Sequence, residues 1–374
     1  MALADLERTL LAAVPRPVRP SLEERWKLLD GPALATALPP IPWLCEPLRI
    51  APGPVTLVAG YGYSRKTMAL QSLAVSVAAG RPVWGLHSVR QGRALHLDYE
   101  QGRRLTQERY QRLARAMGVT LSEIPLSVSC MPQVYLDETD APDDLLRLCE
   151  GVAFVLVDSL RAAFPRADEN SSEVRAYLDI LSRVSERTGA TIAVIHHARK
   201  PSAQDGGTET HVIRGSSALF DACQSVFVFV GAKNTPTTVH HQKDRIMGST
   251  VDDFGLDSID TAVDGVPKAG LEIVHLDVAQ MQRREEASQA AVERAETTQV
   301  AEAIAATLAR YAGVFRGSRS QLREACGLRV RTQRFSAILR DLIQQGAVVE
   351  AGTYHAPEFH VGGIEDTTQQ VANA

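Results

Sequence analysis

Lys66 and Thr67 stand side by side at the end of a turn that contains Gly60 and Gly62. An apolar run, Val55-Thr56-Leu57-Val58, precedes the turn, and a helical pattern over Thr67–Ala79 follows it. Strand, loop and helix in that order aim backbone N–H groups and a helix N-terminus at an anion, which is the chemistry of phosphate binding. The lysine adds a mobile positive charge, and the threonine hydroxyl can bind Mg²⁺. Gly60, Lys66 and Thr67 fit the spacing G-x-x-x-x-G-K-[ST], with Gly62 and Ser64 inside the loop and Met68 directly after it. Arg65 stands where the second glycine belongs. A side chain in the left-handed geometry such a position asks for costs roughly 1–2 kcal/mol. Arg65 could in return lend charge to the phosphates.

Further along, single polar residues close apolar runs. Glu100 follows the strand pattern Arg93–Asp98, where a carboxylate could polarise a water for in-line attack on a γ-phosphate. The alternative is a loop carboxylate that caps a helix. Asp158 closes Phe154-Val155-Leu156-Val157 and would hold Mg²⁺ through water. His196 and His197 close Thr191–Ile195, where His197 could sense a γ-phosphate; a hydrogen-bonded strand-end histidine and a metal ligand are the other readings. Arg199, Lys200 and Arg214 flank the polar loop Pro201–Thr210, a candidate DNA-binding element or a plain surface loop. Lys243 and Arg245, at i and i+2 of an extended segment, share one side and could reach a nucleotide held by a neighbouring subunit, or form a solvated charged hairpin.

The elements that must position these groups alternate short apolar runs with helical patterns from about Trp43 to Asp277. That alternation predicts an α/β fold with a mostly parallel sheet flanked by helices. Strands are expected at Val55–Ala59, Arg93–Asp98, Leu126–Ser129, Phe154–Val157, Thr191–Ile195 and Ser225–Val230. An antiparallel extension should follow at Thr237–Gln242, Thr250–Leu256 and Gly270–His275. Residues 1–42 read as an N-terminal arm and 43–280 as the main domain. Residues 281–299, rich in Ala, Glu and Arg, read as a solvated helix or linker, 300–361 as a small second domain and 362–374 as a disordered tail.

A net charge of −4 over 374 residues excludes a polycation, so any nucleic-acid contact must come from local basic patches. One such patch is Arg310–Arg340, with eight arginines against the single acid Glu324. Its pattern is a helix around Ser320–Ala325, a glycine turn, a second helix over Thr332–Gln344, then two short strands near Ala347–Val349 and Glu358–Val361. This reads as helix-turn-helix with a wing, with Arg319, Arg329, Arg331 and Arg334 as candidate nucleic-acid contacts. A protein-docking module is the alternative. The five cysteines are scattered without a C-x-x-C pair, which fits a reducing cytoplasm and argues against a zinc site. No apolar run approaches a bilayer-spanning length, so no membrane partner is expected.

In order, Trp43–Thr67, Gly80–Gly85, Ala94–Gly102, Val155–Leu160, Val194–Lys200 and Arg214–Ala222 resemble the motifs of RecA-like ATPases of the RepA hexameric helicase type, from about Pro40 to Asp277. The resemblance implies ATP and Mg²⁺ as cofactors, with Lys66 and Thr67 on phosphate and metal, Glu100 as the catalytic carboxylate, Asp158 as the Walker B acid and His197 as the γ-phosphate sensor. Lys243 and Arg245 would act in trans, so it also implies a homo-oligomer, a hexameric ring or a filament, around single-stranded DNA, with duplex DNA at the winged helix. The family's usual loop has glycine at positions 63 and 65, where this chain has Tyr63 and Arg65. The expectation is thus an ATP-dependent DNA motor of the replication or recombination kind. A DNA-binding regulator with a non-hydrolysing phosphate loop and a recombinase-like filament protein are the competitors.

Overall fold

A computed structural model describes residues 21–166, 174–197, 217–233, 235–353 and 356–362. The sequence-based expectations for Arg199, Lys200, Arg214, the loop 201–210 and the tail from 363 onward lie outside them. The chain falls into two units, Met1–Pro42 and Trp43–Ala374. In the first, two short helices are described, α1 (Leu22–Trp26) and α2 (Gly31–Ala35). Asp30 caps α2 by accepting the Ala33 amide at 2.9 Å.

The second unit is built on a nine-stranded sheet. Its strands are β1 (Thr56–Gly60), β2 (Arg93–Asp98), β3 (Leu126–Cys130), β4 (Val152–Asp158), β5 (Thr191–His197), β6 (Ser225–Val230), β7 (Thr237–Asp244), β8 (Phe254–Val263) and β9 (Val266–Leu276), in the spatial order β3-β2-β4-β5-β1-β6-β7-β8-β9. The first six in that order are mutually parallel, and β7, β8 and β9 add antiparallel. The fold is therefore a mostly parallel α/β sheet with an antiparallel extension. β1, β4, β5 and β6 are largely continuous apolar runs because both of their faces are covered. Val58, Leu156 and Ile195 point into one core with α3 (Lys66–Ala79). Leu57, Val155, Val157 and Val194 point into the other, with α5 (Ala141–Cys149) and α7 (Val174–Thr188). Successive residues serve opposite faces, as the period of two demands.

Three further α-helices are described in this part: α4 (Arg103–Ala116), α6 (Leu160–Ala163) and α8 (Ser217–Ala222). The last strand pair folds back over α4, where Arg112 binds Asp260 and donates to the Gly270 carbonyl. α3 is buried along almost its whole length, which explains why its sequence carries no polar face.

The stretch 281–299 is not a break in secondary structure. It lies inside one helix, α9 (Val278–Arg310), opened by a reciprocal capping box between Asp277 and Gln280. The end of α9 buries Val300, Ile304 and Leu308 in a separate core with Phe315, Phe335, Leu339 and Phe359. Around that core stand α10 (Arg319–Ala325), α11 (Thr332–Gln344) and a three-stranded antiparallel sheet, β10 (Val314–Arg316), β12 (Ala356–Val361) and β11 (Val348–Thr353) in spatial order. Among the described residues no helix is long and apolar enough to cross a membrane.

Candidate functional site

Parallel register brings the chemistry to one edge. Gly60 at the end of β1 pairs with His197 at the end of β5, and Asp98 at the end of β2 pairs with Asp158 at the end of β4. Ligands bind at the carboxyl ends of such strands, and five of the expected residues meet there. The Thr67 hydroxyl donates to Asp158 Oδ2 at 2.9 Å. Glu100 Oε1 accepts from the Ser159 hydroxyl at 2.5 Å and lies 2.9 Å from His197 Nε2. The Lys66 ammonium, buried, donates to the carbonyls of Gly60 and Tyr61 at 2.7 Å each and to Ser64 Oγ at 3.1 Å.

The loop is shaped by close approach. A Cβ on Gly60 would lie 2.4 Å from the Phe229 carbonyl oxygen and 2.9 Å from Ser64 Oγ. Gly62, by contrast, has open space where a Cβ would stand. Ser64 is buried, and its hydroxyl donates to the Tyr61 carbonyl at 2.7 Å, closing the turn. α3 starts without a side-chain cap, so its first amides are available to an anion. Met68 packs its side chain on the core beneath, which leaves only its backbone to serve a ligand.

Arg65 corrects an expectation. It does adopt the left-handed conformation, φ 60° and ψ 10°. Its guanidinium, however, is turned to the antiparallel extension rather than offered to a phosphate. It donates to Ser258 Oγ at 3.0 Å, to the Thr235 carbonyl at 2.5 Å and to Thr237 Oγ1 at 3.1 Å, and lies 3.3 Å from Asp257. Burial holds its pKa below the ordinary arginine value, with Asp257 opposing that shift. A carboxylate and three neutral acceptors satisfy a charge that would otherwise be stranded.

The electrostatics separate the acids. Burial pushes Asp158 up to about 6, with Thr67's hydrogen bond opposing and Glu100 and Asp98 adding to the rise. Glu100 is held below the ordinary range, first by the His197 hydrogen bond, and His197 is raised, first by the same bond to Glu100. Burial brings Lys66 down to about 8, against the pull of Asp158 and Glu100. Asp158 Oδ1 is buried with no hydrogen-bond partner, while Oδ2 takes the Thr67 hydroxyl. A hard divalent cation with oxygen ligands fits that pair, since it would engage the orphaned oxygen.

Sequence reasoning missed the groups that support this edge. Asp98 is buried and accepts the amides of Glu100 and Gln101 at 3.0 and 2.9 Å and the Thr106 hydroxyl, which sets the turn that presents Glu100. Ser159, next to Asp158, holds Glu100. The Asp98-Tyr99-Glu100 spacing carried the first signal, and nothing local announced the second. Lys243 and Arg245 share no hydrogen bond with this group among the described residues. Lys243 donates to the Phe220 carbonyl and its ammonium lies 4.7 Å from the Phe220 ring centroid, while Arg245 donates to the Asp221 carbonyl, both on α8.

Around the C-terminal core the arginines divide. Arg319 forms a two-pronged pair with Glu350, at 3.0 and 2.5 Å, and Arg334 lies 3.1 Å from Glu296 of α9. Arg329 and Arg331 are exposed in the turn leading into α11.

Residues 19–203 match the family model described as "AAA domain". Among solved structures the chain is similar to one titled "Crystal structure of the RadB recombinase", at 16% identity and a TM-score of 0.41, over 60% of this chain and 91% of that one. At that level of likeness the fold is read from this chain's own strand order and register.

Proposed function

We propose that the chain is a RecA-like P-loop ATPase that uses ATP and Mg²⁺ and works on DNA as a homo-oligomer in the cytoplasm. The observation that carries this reading is the meeting of Thr67 with Asp158, one of whose oxygens is buried without a partner, beside Lys66 and the Glu100–His197 pair. The AAA domain match over residues 19–203 supports it. Lys66 would hold phosphate oxygens, exchanging the Gly60 and Tyr61 carbonyls for them. Thr67 and Asp158 would hold Mg²⁺, which would neutralise charge on the β- and γ-phosphates. Glu100 would orient the attacking water, and His197, bonded to Glu100, would report the γ-phosphate. Lys243 and Arg245 would act across a subunit boundary of a hexameric ring. The helix-turn-helix and strand pair of the C-terminal unit would form a winged helix, with Arg329 and Arg331 toward DNA and Arg319 and Arg334 bracing the fold. Arg199, Lys200 and Arg214 would contact single-stranded DNA, and a RepA-like helicase is the specific motor proposed.

ATPase rate with and without single- and double-stranded DNA tests the reading. Hydrolysis stimulated by DNA and lost in Lys66→Ala supports it; activity unchanged in Lys66→Ala means the site is wrong. Arg65 favours a second reading, a DNA-binding regulator with a silent phosphate loop. Calorimetry that finds no ATP affinity in the native chain, restored in Arg65→Gly, selects that alternative.

A further inference from the structure

α9 leaves the sheet directly beside the phosphate loop's anchor. Its first turns lie on β8, where a Cβ at Gly255 would stand 2.0 Å from the Met281 sulfur, so the bare glycine seats the thioether on the strand. One turn later, Arg284 Nη1 lies 3.7 Å from Asp257 Oδ2. Asp257 Oδ1 faces Arg65 Nη2 at 3.3 Å. One carboxylate thus holds two guanidiniums, one from the phosphate loop and one from the helix whose far end is built into the C-terminal core. A left-handed arginine persists only where its surroundings over-determine it. Here those surroundings are Thr235, Thr237, Asp257 and Ser258, all on or beside the strands that carry α9.

We propose that Asp257 and Arg284 are positioning residues for the phosphate loop. Acting through Arg65, they hold the turn that presents Lys66 and Thr67, so the seating of α9 on β8 and the grip on phosphate rise and fall together. Coupling of this kind is reciprocal: a phosphate that reshapes the turn also shifts the balance of α9 on the sheet. The identity of the ligand rests on the ATPase reading above; the linkage itself does not.

The full chain is compared with Arg284→Gln, Asp257→Asn, Arg284→Lys and, as a control on the adjacent residue of α9, Arg283→Gln. Amide hydrogen exchange over residues 60–68 is read without nucleotide, and KM and kcat for ATP are read separately. Loop exchange should quicken in Arg284→Gln and Asp257→Asn and stay native in Arg283→Gln. KM should rise about threefold in Arg284→Gln, where the pair lost is half-exposed. It should rise about tenfold in Asp257→Asn, which also removes the charge-assisted contact to Arg65. In both, kcat should hold within about twofold, because uniform binding is what is lost, and Arg284→Lys should recover most of the native KM. Native loop exchange in Arg284→Gln overturns the linkage, whatever ATP does. Loop exchange that responds as expected in a chain without ATPase activity keeps the linkage and removes the ATPase reading instead.

Discussion

Replacing Arg65 by glycine would give the loop the residue its motif asks for, yet we expect the protein to become less stable. Two terms oppose. The left-handed arginine, φ 60° and ψ 10°, carries strain of about 1–2 kcal/mol that glycine relieves. Part of that gain, about 0.5–1 kcal/mol, is returned through the greater freedom of glycine in the unfolded chain. Against it stands a guanidinium whose side chain is 10% exposed, bonded to Ser258, Thr235 and Thr237 and paired with Asp257, itself 14% exposed. Hydrogen bonds to a charged group contribute about 1.5–3 kcal/mol each, and they share one side chain here, so a loss of about 3 kcal/mol is the fair sum. Arg284 remains near Asp257 and keeps the loss from growing further. The net is a destabilisation of about 2 kcal/mol, or about 4–8 °C in Tm for a domain of this size. Trp84 is buried in the core that α3 shares with the sheet, so its fluorescence follows the sheet, and Trp26→Phe removes the exposed tryptophan of the first unit from the signal. Thermal unfolding read that way should rank native above Arg65→Gly above Arg65→Ala, since alanine keeps the strain and loses the contacts. Arg65→Gly as stable as the native chain, or more so, would show that strain outweighs anchoring and refute the argument.

The site makes further expectations. Glu100→Gln should keep nucleotide binding and lose about 10²–10⁴-fold in hydrolysis, measured as turnover at saturating ATP. Magnesium–nucleotide binding should change sign in its proton exchange. Near pH 6, where burial places the Asp158 pKa, the carboxyl would give up its proton to bind metal. Near pH 8 Lys66 is half deprotonated and takes up about half a proton as phosphate raises its pKa. Calorimetry in buffers of different ionisation enthalpy reads both, and Asp158→Asn should abolish only the release. Gly60→Ala should cost about 1–3 kcal/mol, because its Cβ would meet the backbone oxygen of Phe229. Phe335→Ala, in the buried C-terminal core, should cost that unit about 3–5 kcal/mol while leaving DNA-independent ATPase activity intact.

Much of this was legible in the chain. β2, β6, α5 and α11 fall on the residues their periodicity marks, because each is bounded by a turn or a proline and covered on predictable faces. The strand expected at Thr250–Leu256 instead runs from Phe254 to Val263. Its outer half alternates weakly, and the signal that fixes it is the turn Asp264-Gly265, both residues at positive φ, joining β8 to β9. That Asp-Gly pair is a strong hairpin marker and could have been used. The candidate site was legible because Asp158 and His197 close apolar runs, Glu100 follows one, and Lys66 and Thr67 stand where a turn enters a helix. The fate of Arg65 was not, since its partners Thr235 and Ser258 lie 170 and 193 residues away and only the folded register brings them near.

The return of β9 onto α4 bears on how the chain must be made. Arg112 on α4 meets Asp260 and the Gly270 carbonyl, contacts that span 148 and 158 residues. α3, central and apolar on nearly every side, shares its core with Phe254, Leu271 and Ile273 from these last strands. During synthesis the phosphate loop and its helix emerge early, while the strands that cover them follow some two hundred residues later. At about 5–20 residues per second that interval is tens of seconds, with apolar surface exposed throughout. A chain released before Phe254 would carry the phosphate-loop lysine and threonine and still lack a finished core, so truncation there should yield aggregate rather than a smaller folded protein.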